Sequence, residues 1–146
     1  GFYLYGKAHE ELILRPKEIY DGAIPSGNSL MAYNLVRLFF ITDAEKYKAA
    51  AQRQLDFLAQ SAAQHPTNHA MFLIALMEHD KPPIKVTAVL DEQADKNRLL
   101  FALPPDAIIL LRQPSKDYSL KNGKSTYYVC KGQSCLPPTN DLQEWL

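Results

Sequence analysis

Lys81-Pro-Pro-Ile-Lys-Val-Thr-Ala-Val-Leu90 is the stretch at which the chain changes its hydrophobic period. Proline disfavours the helical conformation at the residue before it, so Pro82 and Pro83 close any helix that precedes them. Residues 84–90 are rich in β-branched side chains, which fit a pleated surface better than a helix, and they read as a strand. Before the break the apolar residues recur at helical spacing; after it, short apolar runs alternate with turns. The expected division is a helical part, residues 1–81, and a small α/β part, residues 82–146.

Upstream of the break, ten of the twelve residues in 30–41 are apolar, with only Asn34 and Arg37 polar. They predict a helix over 28–42 that needs cover on nearly every side. A second helix is predicted over 44–64, with Asp43 as its N-cap. Its apolar positions Tyr47, Ala51, Leu55, Leu58 and Ala62 form one stripe and leave the opposite face wet. Pro66 ends that helix, and Thr67 is placed to cap a third over 68–79, which holds an unbroken apolar run at 70–77. Enclosed, half-exposed, enclosed is the order of a two-layer helical toroid, and also of an ordinary bundle.

Downstream, Asp91 is placed to cap a helix reaching Leu103, with Ala94, Leu99, Leu100 and Leu103 available for burial. Pro104-Pro105-Asp106 then turns the chain into a second apolar strand, 107–111. Strand, helix, strand at this spacing predicts a parallel βαβ unit. Residues 112–124 are polar and contain Pro114 and Asn122-Gly123, which predicts a long loop or the approach to a hairpin. A third strand is expected at 125–130. A short helix is expected at 141–146, with Asn140 and Gln143 spaced as a capping box. The fold class that results is α+β.

The chain has 146 residues, enough for one domain or two small ones. Sixteen basic residues balance 16 acidic ones, so net charge gives no reason to expect nucleic acid or an anionic membrane as partner. No apolar run approaches the ~20 residues that span a bilayer. The N-terminus lacks the charged start and apolar core of a signal peptide, and two cysteines are too few for a disulfide-rich scaffold. A cytoplasmic protein is the expectation.

Asp21-Gly22-Ala23-Ile24-Pro25-Ser26-Gly27-Asn28-Ser29, with Tyr128-Val129-Cys130 and Cys135-Leu136-Pro137-Pro138-Thr139-Asn140-Asp141, carries a resemblance. Over residues 1–146 the chain resembles the C-terminal end of the large thioredoxin-domain proteins related to YyaL and the spermatogenesis-associated homologues. The resemblance implies an (α/α)6 toroid similar to N-acylglucosamine 2-epimerases and six-hairpin glycosidases, followed by a small α/β tail. It implies that this chain is a non-catalytic fragment, since the thioredoxin-like domain and most toroid hairpins are missing. The remainder of the full-length chain is the implied partner, and a sugar the implied ligand by analogy of fold. Oligomerisation of the isolated piece is another way to cover its apolar helices. No cofactor is implied.

The loop over 21–29 offers a carboxylate (Asp21), a hydroxyl (Ser26) and an amide (Asn28) at the mouth of the first helix. Hydroxyl-rich ligands need both acceptors and donors, so these three are candidate ligand-binding residues. The competing reading is structural: Ser26 or Asn28 caps the helix and Asp21 braces the loop. Arg15 and Lys17 are candidates for an anionic group, weighed against plain solvated charge. Cys130 and Cys135 are a candidate redox pair, the rival functional reading being a redox accessory module for a thioredoxin-like domain. Two reduced thiols are the expectation. Zinc needs about four ligands, and His9, His65, His69 and His79 all lie far upstream, so no metal is expected. The βαβ segment has no glycine-rich turn to cradle phosphate, and no nucleophile motif occurs.

Overall fold

The computed structural model describes residues 1–6, 14–94, 96–132 and 134–145, with the side chains of Arg98 and Trp145 outside that description. The chain divides into two compact units, Gly1–Lys81 and Pro82–Leu146. Together they give an α+β fold with one parallel strand pair.

The first unit is helical: α1 (Gly27–Thr42), α2 (Glu45–Gln64) and α3 (Ala70–Asp80), with a 3-10 turn at Pro66–Asn68 between the last two. One core joins them, built on Ala32, Leu35 and Val36 of α1, Ala51, Leu55, Leu58 and Ala62 of α2, and Phe72 and Ala75 of α3. Of the stripe predicted on α2, Ala51, Leu55, Leu58 and Ala62 are buried, Tyr47 is half-buried against the same core, and Gln54 joins them. The caps differ from expectation. Asp43 does not cap α2; it closes α1 in the left-handed conformation (φ 53°), its N–H donating to the Phe39 carbonyl. A short polar side chain tolerates that geometry better than most non-glycine residues. Nor does Thr67 cap α3, because the 3-10 turn moves the N-cap to His69, whose side chain makes no cap bond.

Among the described residues, the enclosure expected of α1 and α3 is one-sided. Leu30 (44% exposed) and, less so, Leu38 and Ile41 stand open on α1; Ile74, Leu76 and Met77 (69% exposed) stand open on α3. With three α-helices among the described residues of the unit, each apolar helix finds neighbours there on only part of its circumference.

The second unit is a four-stranded sheet in the order β2-β1-β3-β4, comprising β1 (Ile84–Val89), β2 (Ile108–Leu111), β3 (Thr126–Lys131) and β4 (Ser134–Cys135). β1 and β2 run parallel in the register Lys85 to Ile108, joined through α4 (Lys96–Ala102). β1 and β3 run antiparallel, Val86 facing Val129. Val86, Ala88 and Val129 on one face pack with Leu99 and Leu103 and with Leu142 of the terminal 3-10 turn, Leu142–Trp145. The helix expected from Asp91 begins only at Lys96; Asp91 starts a turn instead, its carboxylate accepting from the Gln93 N–H and its carbonyl from the Ala94 N–H. The terminal helix is 3-10, and its cap is not Asn140: the Asp141 carboxylate accepts from the Gln143 N–H at 3.0 Å. Asn122 and Gly123 both take positive φ (56° and 68°), which a tight reversal between Lys121 and Lys124 requires.

Candidate functional site

The segment leading into α1 brings Asp21, Ser26 and Asn28 together, all buried. Ser26 is the N-cap, its hydroxyl accepting from the Ser29 N–H at 3.1 Å. One Asp21 carboxylate oxygen accepts from the Ser26 N–H (2.8 Å); the other accepts from Met71 N–H (2.9 Å) and Phe72 N–H (3.3 Å). Those last two belong to the first turn of α3, the orphan donors that His69 leaves unsatisfied. Asp21 thus caps α3 from fifty positions away and pins the start of α1 to the start of α3. Burial alone would raise its carboxyl. Hydrogen bonds from the Ser26 N–H, the Ser29 hydroxyl, the Phe72 N–H and the Ser26 hydroxyl outweigh that and hold it below the ordinary value.

Asn28 is engaged as fully. Its carbonyl oxygen accepts from Phe2 N–H (2.6 Å) and from the Gln54 amide (2.9 Å). Its amide nitrogen donates to the carbonyls of Phe2 (2.9 Å) and Glu18 (2.7 Å). One side chain therefore ties the N-terminal segment, the entry loop and α2 to α1. Gln54 was not a sequence candidate. A polar residue inside the α2 stripe was the available signal, and its burial beside Asn28 is explained by these bonds. Asp21, Ser26 and Asn28 make the bonds of the competing, bracing reading: their polar atoms meet the chain's own backbone and the Ser29 and Gln54 side chains.

Arg15 lies apart from that cluster. It is exposed, donates to the Tyr5 carbonyl (3.1 Å), and stacks over the Tyr3 ring at 4.2 Å. Lys17 approaches the same ring at 4.7 Å and the Phe57 ring at 5.3 Å. These cations face aromatic rings. His65 closes α2, whereas His69 is 2% exposed with neither ring nitrogen hydrogen-bonded among the described residues. His9 lies outside the described residues. Among those described, no three His, Cys, Asp or Glu side chains cluster closely enough to hold a metal ion.

In the second unit, the Asp91 carboxylate accepts from the Ser125 hydroxyl (2.8 Å) and N–H (2.9 Å), and from the Gln93 N–H (3.0 Å). The Ser125 hydroxyl is the main cause that draws its carboxyl below the ordinary value. This clamp joins the end of β1 to the start of β3. Asn140, expected as a cap, instead donates to the Ser125 carbonyl at 2.8 Å and so holds the terminal segment to the same place. A cleft of about 680 Å³ opens beside Asp91, Tyr127, Asn140 and Asp141. Of its polar groups, Asp91, Ser125 and Asn140 are bonded internally.

Cys130 and Cys135 are not two free thiols. They form a disulfide between directly opposed positions of β3 and β4. Gly132 takes φ 61° between β3 and β4, whose antiparallel pairing sets the two cysteines opposite one another. The expectation of reduced thiols rested on composition, which carries no information on strand register.

No family model matches the chain, and no solved structure is similar to it. It is similar to an uncharacterized protein of Caenorhabditis elegans, B0495.5, at 22% identity over 99% of its own residues. The chain spans 22% of that protein's length. No helix among the described residues is long and apolar enough to cross a membrane.

Proposed function

We propose that this chain is a non-catalytic closing segment of a longer protein whose helical toroid binds or processes carbohydrate. In this reading α1, α2 and α3 are toroid helices, and Pro82–Leu146 is its α/β tail. The observation that carries it is the set of apolar side chains left exposed on two of these helices, Leu30, Leu38 and Ile41 on α1 and Ile74, Leu76 and Met77 on α3. Large apolar side chains exposed in this number on two neighbouring helices suit a surface on which more protein packs. A carbohydrate enzyme needs two positioned acid/base groups, and the loop carboxylate nearest the helix mouths, Asp21, is fully hydrogen-bonded to backbone. The chemistry therefore belongs to other hairpins, and this segment supplies scaffold. The greater length of the similar nematode protein is in keeping with such a context.

Calorimetric titration with a panel of mono- and oligosaccharides tests the reading, run on this chain and on a longer protein that contains it. Binding is expected for the longer protein alone. Sugar binding by the 146-residue chain itself, or by neither, overturns it.

A further inference from the structure

We propose that the Cys130–Cys135 bond is a thiol–disulfide exchange site in which the incoming thiol attacks the sulfur of Cys135. Two independent features select that direction. Cys135 is exposed, on a strand of two residues at the edge of the sheet, whereas Cys130 is half-buried in β3 between β1 and β4. A thiolate must approach the sulfur it attacks from the side opposite the breaking bond, and access from solvent is better at Cys135. The leaving sulfur is then that of Cys130, which stands directly opposite Lys85 in the β1–β3 register. Directly opposed side chains lie on the same face of a sheet, and a neighbouring cation stabilises a thiolate. A leaving thiol of lower pKa departs faster.

The fold tolerates the opened state. Neither cysteine belongs to the apolar core of the second unit, which is formed by Val86, Ala88, Leu99, Leu103, Val129 and Leu142. Opening the bond bears first on the pairing of Ser134–Cys135 with β3, while the next residue stays held by its own bond, Leu136 N–H to the Val129 carbonyl. In the exchange, the thiolate bonds to Sγ of Cys135 while the Cys130–Cys135 bond breaks. The electron pair leaves on Sγ of Cys130, which takes a proton from solvent. A second thiol attacks the outer sulfur of the mixed disulfide and frees Cys135. Two thiols are thereby oxidised to one disulfide, and the protein disulfide is reduced to two thiols.

Reduced glutathione serves as the probe. The oxidised chain is exposed to it, remaining thiols are blocked with iodoacetamide, and tryptic peptides are weighed; cleavage after Lys131 separates the two cysteines. Glutathione on Cys135 with the blocking group on Cys130 is expected in about tenfold excess over the reverse. Lys85→Gln, folded by circular dichroism, is expected to slow the exchange about threefold through the leaving-group pKa. Glutathione on Cys130 in equal or greater amount overturns the proposal, as does exchange seen only in denaturant, an unchanged rate in the folded variant, or a purified chain lacking the disulfide. If Lys85→Gln does not fold, the position of the label on the unaltered chain decides.

Discussion

Asp21 commits both carboxylate oxygens to backbone N–H groups at the starts of two different helices. Asp21→Asn keeps one acceptor but turns an amide donor toward other donors, so it leaves at least one buried N–H unsatisfied. A loss of about 1–3 kcal/mol in urea unfolding is expected. A solvent-facing ligand residue would instead change stability by less than about 1 kcal/mol. The pH dependence follows from the same geometry. The folded carboxyl sits below its ordinary 3.8, so its stabilisation is complete above that value and fades as pH falls through the folded pKa. Acid unfolding of the unaltered chain is expected to show this loss below about pH 4, and Asp21→Asn to lack it. Asp91 behaves in the same direction in the second unit, through Ser125.

Besides apolar contact and the Asp21 bonds, an ion pair joins α1 to α3. Arg37 reaches Glu78 with two parallel bonds of 2.9 Å, its guanidinium also lying 5.0 Å from the Tyr33 ring. Both side chains are mostly shielded from water (24% and 12% exposed). Glu78→Gln is therefore expected to cost about 1–2 kcal/mol, between the surface and buried limits for such pairs, as read by thermal or urea unfolding. The open faces of the same helices make a different prediction. Replacing Ile74 and Met77 together by lysine touches exposed positions and should leave helicity intact. It should lower the binding of a hydrophobic dye and any self-association seen by analytical ultracentrifugation. If neither changes, these residues are not the adhesive part of the surface.

Each unit has its own core and its own polar lock, Asp21 in one and Asp91–Ser125 in the other. The three long helices lie in Gly1–Lys81 and the sheet in Pro82–Leu146. Far-ultraviolet dichroism thus reports chiefly on the first unit, and hydrogen exchange of the paired β1 and β3 amides on the second. The two urea transitions are expected not to coincide. Superimposable curves would mean that the units unfold as one.

What the sequence by itself determined is the local part. The β-branched run after Pro82 and Pro83 made a strand, the four-and-three spacing of Ala51, Leu55, Leu58 and Ala62 made a buried stripe, and the βαβ spacing made a parallel pair. Each follows from period and turn chemistry within a few residues, which is where sequence patterns act. The site is a different matter. That Asp21 caps a helix fifty positions away, that Asn28 clamps Phe2 and Glu18, and that Cys130 meets Cys135 were decided by tertiary structure. A hydrogen bond or a disulfide depends on positions to within a fraction of an ångström. Those positions are set only when the helices pack and the strands take their register.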